Sequence, residues 1–317
     1  MRMTRRAVID VGTNSVKLLV GDVAAGAVVP VREEGRQTRL GEGFYETHRL
    51  SAAAIQRTAV AVGAFAAVAR SDGAASLRVV ATSAARDAVN ARELTAALEA
   101  ATGVPVEVIS GDREAGWAFR GATSSPALAA RPILLLDLGG GSTEFIAGCG
   151  PHHRFQHSFD LGTVRFYEGH PPADPPAAGE LAACRAALRQ FLAGSVAPDL
   201  APALEGLAAE HPGTPVLLVG AGGTASVLAC MEGSLAAFDR ERIEATALPA
   251  RRVREQADRL WGMKLQDRRQ IPGLPPDRAD IMLAGVLIYE AILETFGFAE
   301  LRITTRGLRF GVLLDQG

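Results

Sequence analysis

Lysine is nearly missing from this chain: Lys17 and Lys264 are the only two in 317 residues, and arginine carries the rest of the basic charge. The bias goes with the Ala-rich stretches and reads as genomic base composition rather than selection for guanidinium forks. Cysteine is also scarce. Cys149, Cys184 and Cys230 are widely spaced with no CxxC pair, which excludes a disulfide framework and a structural zinc site and fits a reducing cytoplasm. Neither sign of charge dominates, since 33 Lys and Arg against 35 Asp and Glu leave a net charge of -2. Binding to nucleic acid or to an anionic membrane is therefore not expected, and a polyanion would need a local basic site. No uninterrupted apolar stretch spans a bilayer, and Met1 to Arg6 lead directly into VIDVG without a signal-peptide core, so a soluble, cytoplasmic protein is expected. The two tryptophans, Trp117 and Trp261, read as core or interface residues rather than stacking platforms.

What is present is an α/β pattern too long for one hydrophobic core, so two domains are expected. Ala7–Val11 and Val16–Val23 flank the small-residue turn GTNS as a hairpin. Ser51–Ala69 and Ala91–Thr102 have helical spacing, and Leu77–Ala81 and Val104–Ile109 read as strands. Arg131–Cys149 then repeats the opening pattern. Aligning VIDVGTNS with LLDLGGGS places Asp10 on Asp137, Gly12 on Gly139 and Ser15 on Ser142, as two similarly built halves facing each other across a cleft would. Gly169–Gly179 is too Pro-rich for a regular element. Helices are expected at Glu180–Leu192, Arg252–Trp261 and Ala279–Thr295, strands at Pro215–Val219 and Leu301–Thr304, and a short helix at Gly307–Leu314. The expected division is 1–125, completed by 306–317, and 126–305.

The strongest chemical signal is LLLDLGGGSTEFI at Leu134–Ile146. Three consecutive glycines cost more backbone entropy than a tight turn requires, so something must approach the backbone closely. Consecutive amides of Gly139, Gly140 and Gly141 can converge on phosphate oxygens, with the hydroxyls of Ser142 and Thr143 adding donors; the alternative is a merely structural Gly-rich hairpin. The GK[ST] ending of a Walker A loop is absent. Asp137, just before the turn, suits Mg²⁺ or another hard divalent ion such as Mn²⁺, directly or through water, and Glu144 across the hairpin could reach the same ion. VGAGGTAS places Gly222, Gly223 and Thr224 between a strand and a helix N-terminus, where anions bind; tight helix-strand packing is the competing explanation. Glu114, in the first turn of a helix capped by Asp112, could take a proton from attacking water, and Arg86 could fork onto two phosphate oxygens. His152, His153 and His157 fall in a polar loop after a strand and are not expected to hold a metal.

Taken in order, IDVGTNS, TRLGEG, ATSAARDAVNA, ISGDREA, LLDLGGGSTE, FDLGTVRFYE, VGAGGT and RADIMLAG resemble the exopolyphosphatase / guanosine pentaphosphate phosphohydrolase family over nearly the whole chain, in its short two-domain form. The resemblance implies an actin-like, sugar-kinase-like fold with both phosphate turns lining an interdomain cleft, and a possible homodimer. It puts the catalytic base on Glu114, the metal- and phosphate-handling acids on Asp137 and Glu144, and the phosphate-gripping arginine on Arg86. Gly140, Gly141 and Ser142 match the phosphate loop, Arg165 lies in the matching LGTVR stretch, and Asp10, Asn14 and Ser15 match the first turn, with Asp10 a further candidate metal ligand. The closing TTRGLRFG departs from the family pattern near Thr305 and Phe310. The activity implied is removal of terminal phosphate from polyphosphate, with guanosine pentaphosphate as the close rival. An actin-like ATPase or kinase, or a non-enzymatic sensor of phosphate polymers, would suit the same turns.

Overall fold

The computed structural model describes residues 3–315; residues 1–2 and 316–317 of the expected first half lie outside the described residues. Eleven strands among them form two sheets. In the first, β1 (Thr4–Val11), β2 (Ser15–Ala24) and β3 (Ala27–Gln37) run as an antiparallel meander, and β4 (Ser76–Ala81) and β5 (Val106–Val108) continue parallel to β1. In the second, β6 (Pro132–Leu138), β7 (Thr143–Cys149) and β8 (His152–Phe159) repeat the meander, and β9 (Leu217–Ala221) runs parallel to β6. Beyond β9 lie β11 (Glu300–Ile303) and the antiparallel β10 (Ala247–Pro249). Both sheets thus have one plan, a three-stranded meander extended by parallel strands on its first strand.

Helix Ala52–Ser71 covers the first sheet. Ser51 caps it, its hydroxyl accepting from Ala54 N at 3.1 Å, and Ile55, Val62, Phe65 and Ala66 enter the core with Ile9, Leu18 and Val79. It is the one described helix long and apolar enough to cross a bilayer; half of that stretch is buried within the protein. Under the second sheet runs helix Met282–Phe296, buried at every position from Met282 to Leu293. Its Glu290 is tolerated there because Arg185 forks onto both carboxylate oxygens at 3.1 and 2.8 Å.

Two helices lie between the sheets. Helix Gly111–Thr123 sends Ala115, Ala118, Phe119 and Ala122 into a core with Ile133, Leu135 and Ile146, while helix Leu308–Leu314 packs Phe310, Val312 and Leu313 against Val8, Leu19 and Val80. They touch each other through glycines. A Cβ on Gly121 would lie 3.0 Å from Gly311 N and inside the carbonyl of Gly307, and a Cβ on Gly311 would run into the Trp117 carbonyl. The end of the chain is thereby returned to the first sheet.

Several local expectations change. Ser110, not Asp112, caps helix Gly111–Thr123, its Oγ accepting from Arg113 N at 3.2 Å; Glu114 stays in the first turn. The three histidines of the expected polar loop belong to β8, an edge strand whose outward residues are polar. Strand β3 escapes the pattern for a related reason. It is an edge strand carrying Pro30, Arg32, Glu33 and Glu34, with its register shifted at Val20/Gly21, the sequence of an edge protected against further pairing. Helix Ala197–Glu210 is hidden by Pro198 in its first turn and Pro202 within it.

Candidate functional site

The two hairpin turns are built alike. Gly12 N donates to Ser15 O at 3.0 Å, and Gly139 N donates to Ser142 O at 3.0 Å, so the eight-residue repeat is a repeat of hydrogen bonds. In each half the chain leaves its third meander strand and folds back to take the carbonyls of the turn. Thr13 O accepts from Gly41 N at 2.7 Å, and Asn14 O accepts from Thr38 N and Arg39 N at 3.1 and 2.9 Å. In the second half, Gly139 O accepts from Thr163 N at 3.0 Å, and Gly140 O accepts from Val164 N and Arg165 N at 2.8 and 3.1 Å. Gly141 O accepts from Arg165 Nε at 2.8 Å. In a trans peptide the carbonyl and the following N–H point opposite ways. Drawing three carbonyls to one side therefore turns the amides of Gly140, Gly141 and Ser142 to the other. Among the described residues these three amides make no hydrogen bond, and all three residues line the cleft. Such a run of converging donors is an anion cradle.

Glycine is required there by contact with the opposite half. A Cβ on Gly140 would sit 2.9 Å from Thr13 Cβ, and one on Gly141 would collide with the hydroxyls of Tyr45 and Ser83. At the third turn, Gly222 opens helix Gly222–Glu232 with φ of 84°, and a Cβ there would lie 2.8 Å from Asp137 Oδ1. Gly223 leaves room for the Arg278 guanidinium, whose Nη2 lies 2.8 Å from where a Cβ would stand.

The registers place the charges. Asp137 pairs directly across the hairpin with Glu144, and in the first half Asp10 pairs with Lys17; residues opposite one another share a face of the sheet. Glu144 is only 1 % exposed and accepts from Ser142 Oγ at 2.9 Å and Ser158 Oγ at 2.7 Å. Burial, reinforced by Asp137, pushes its carboxyl up to about 7. Glu114 enters the cleft from the first turn of its helix, and Arg86 Nη1 donates to its Oε2 at 3.3 Å and to Ile109 O at 3.0 Å. Burial, then repulsion by Glu144, raises the Glu114 carboxyl well above its usual range, while Arg86 opposes the shift. Burial also raises Asp10 and Asp137, with Lys17 opposing in both cases, and lowers Lys17 against the pull of Asp10. These are buried oxygen donors that a hard cation would stabilise in their charged forms. No group of three His, Cys, Asp or Glu side chains among the described residues forms a ready metal cage. Mg²⁺ needs only one or two carboxylates and fills its octahedron with water and phosphate oxygens, so Asp137 and Glu144 would be enough to hold it.

The cleft is lined by Asp10, Asn14, Ser15, Glu114, Asp137, Gly139, Gly140, Gly141, Ser142, Glu144, Gly222, Gly223 and Thr224, all singled out in the sequence. Three others are placed differently. Thr143 points into the core and donates to Leu161 O, because side chains alternate along a strand and its neighbours Ser142 and Glu144 take the cleft side. Arg86 stands behind Glu114. Arg165 lies behind the glycine turn, its Nη2 3.0 Å from Asp160 and 3.4 Å from Asp87.

The sequence reading missed Thr13, Lys17, Ser83, Arg278 and Arg309, which also line the cleft. Lys17 carried a signal: it aligns with Glu144 in the repeat. Arg278 opens the RADIMLAG motif and Arg309 lies in TTRGLRFG, but nothing local aims either at the cleft, because they arrive from distant parts of the chain. Lys17, Arg278 and Arg309 also line a second cavity of about 580 Å³ that opens off the first, with Val227, Phe238 and Pro275 in its walls.

Comparison with known proteins agrees with this architecture. Exopolyphosphatase 2 of Mycobacterium tuberculosis is 34% identical over 331 aligned residues, covering 99% of each chain. The guanosine-5'-triphosphate,3'-diphosphate pyrophosphatase of Aeromonas hydrophila is 30% identical over 308 residues, covering 97% of this chain and 58% of that protein. The solved structure of the Aquifex aeolicus Ppx/GppA enzyme superposes with a TM-score of 0.78 at 28% identity, covering 99% of each chain. The fold is the actin-like duplicated α/β arrangement. With residues 19–316 matching the model of the Ppx/GppA phosphatase family, the chain belongs to that family and is a hydrolase of phosphoric anhydrides.

Proposed function

We propose that the chain is an exopolyphosphatase, releasing the terminal phosphate of inorganic polyphosphate. The observation that carries this is the position of the buried Glu114 carboxylate in the same cleft as three unused amides of the Gly139–Ser142 turn. The amides of Gly140, Gly141 and Ser142, with the hydroxyl of Ser142, receive the terminal phosphoryl oxygens; Asn14, Ser15, Gly222, Gly223 and Thr224 surround the next phosphates. A water attacks the terminal phosphorus and gives its proton to Glu114. The anhydride bond breaks, leaving orthophosphate and a chain one unit shorter, and Lys17, Arg278 and Arg309 balance the charge of that leaving chain. Asp137 and Glu144, with Asp10 nearby, would hold a divalent cation, Mg²⁺ or Mn²⁺, which supplies neutralisation of phosphoryl charge. The division into 1–125 with 306–317 and 126–305, a cytoplasmic location and a homodimer belong to the same proposal.

A second substrate has an observation in its favour. The adjoining cavity has apolar walls beside the three cations, a shape that accepts an organic group carried on a phosphate chain, as in guanosine pentaphosphate. Phosphate release from long-chain polyphosphate, guanosine pentaphosphate and ATP, each with Mg²⁺ and with EDTA, decides between them. The expected result is metal-dependent release fastest from polyphosphate. Release confined to the pentaphosphate moves the function to that substrate, and faster turnover of ATP makes the protein an ATPase.

The pH profile gives a further check. A general base must be deprotonated, and Arg86 is the cation that lowers Glu114. Arg86→Gln removes that opposition, so the acid limb of kcat moves to higher pH: the variant loses rate at neutral pH and regains part of it as pH rises. A limb that stays in place or moves down would remove Arg86 from this role.

A further inference from the structure

Among the described residues, the carbonyl of Gly141 is the one of the three in the glycine turn that takes no bond from a backbone amide and is held by a side chain alone. The Gly141–Ser142 peptide is thus free of any backbone tether at its carbonyl, and the glycine on its N-terminal side leaves one of the two dihedrals of a peptide flip unrestrained. If that peptide turned over, a carbonyl would face the bound anion in place of an amide. What prevents the rotation is Arg165 Nε, 2.8 Å from the carbonyl oxygen. The guanidinium does not line the cleft, and its position is set largely from across it. The ring of Tyr45, in the first half, lies 4.5 Å from the guanidinium carbon, and Asp87, also in the first half, lies 3.4 Å from Nη2. Asp160 of the second half completes the set at 3.0 Å. Tyr45 contributes its ring to the guanidinium, while its buried hydroxyl lies against Gly141 with the hydroxyls of Ser83 and Thr13.

We propose that Arg165 is a positioning residue and not a phosphate ligand: held between Tyr45 and Asp87 of the opposite half, it pins the Gly141 carbonyl outward so that the Ser142 amide faces the cleft. The inference rests on the glycine turn being the phosphate cradle. It makes the orientation of one donor in the second half depend on contact with the first half, so the cradle is complete only when the halves are together.

A double-mutant cycle on the full chain tests this, using kcat and KM for the best substrate of the panel and melting temperature as a fold control. Arg165→Lys keeps the charge but loses the planar fork and Nε; kcat is expected to fall about tenfold with KM within about twofold, the pattern of a donor misaimed at developing charge. Tyr45→Leu removes the ring and lowers kcat about fivefold by releasing the guanidinium, a loss in the range of one partly buried cation–π contact, and Tyr45→Phe, which restores a ring, restores the rate. The Tyr45→Leu/Arg165→Lys double variant is no slower than Arg165→Lys alone, because both changes break one connection. Effects that multiply, or an Arg165→Lys variant with normal kcat and raised KM, overturn the proposal. If Glu114→Gln is inactive in the same assay while those outcomes appear, this inference alone fails; if Glu114→Gln turns over normally, the proposed chemistry fails instead.

Discussion

Glu114→Gln lowers kcat by about three orders of magnitude on whichever anhydride the enzyme prefers, the upper part of what a positioned general base contributes. The change is nearly isosteric. Glutamine keeps an oxygen to accept from Arg86 and leaves the helix capped by Ser110 undisturbed. It also removes a carboxyl group whose ionised form is disfavoured by burial and by Glu144, so the folded protein is expected to be at least as stable as the wild type. Activity and stability should therefore part company: turnover is lost while the melting temperature holds or rises. Substrate affinity should be retained or improved, because one negative charge facing a polyanion is gone. A variant that turns over within a few-fold of wild type would mean that water loses its proton elsewhere.

The second large effect concerns stability. Gly311→Val is expected to destabilise the protein by about 3 kcal/mol or more, at the high end of the range for overpacking, because the new side chain meets main chain and not a movable side chain. Its first carbon would lie 2.6 Å from the Trp117 carbonyl carbon, and that helix can yield only by leaving the core it shares with Ile133, Leu135 and Ile146. The displaced helix also carries Glu114. Denaturant unfolding should show a lowered midpoint, and the folded fraction should have reduced kcat. A Gly311→Val protein with an unchanged midpoint would contradict the close crossing of the two helices. Gly121→Ala, facing the Gly307 carbonyl from the other side, should fail in the same direction.

How far the sequence carried can be argued residue by residue. Asp137, Glu144 and the glycines between them were legible because one hairpin contains them all, and hairpin register follows from turn length. The same parity excludes Thr143 from the cleft, since a residue between two cleft-facing neighbours on a strand must face away; counting hydroxyl donors without counting faces concealed this. Lys17 was legible by alignment with Glu144, yet a composition argument set it aside. Arg278 and Arg309 were not legible by any local rule. Arg309 is placed by the return of helix Leu308–Leu314 to the first sheet and Arg278 by the short turn Pro276–Arg278, tertiary facts that local chemistry does not encode. Strands β3 and β8 were missed because each is a sheet edge, where protection against further pairing favours charge, proline and histidine over regular alternation. Arg165 was singled out by its place in the LGTVR stretch, and its hydrogen bond to the Gly141 carbonyl is visible only in the structure.

The likeness of the two turns has one consequence for substrate polarity. Two turns with the same hydrogen bonds would by themselves offer a symmetric phosphate chain no distinction between head and tail. One cross-strand position removes the ambiguity: where the second half has Glu144 opposite Asp137, the first has Lys17 opposite Asp10. A carboxylate pair on one hairpin thereby stands beside an acid–lysine pair on the other. Under the proposed activity, a phosphate chain would therefore meet a carboxylate pair on one hairpin and an acid–lysine pair on the other, and this single broken symmetry is what could tell its end from its length.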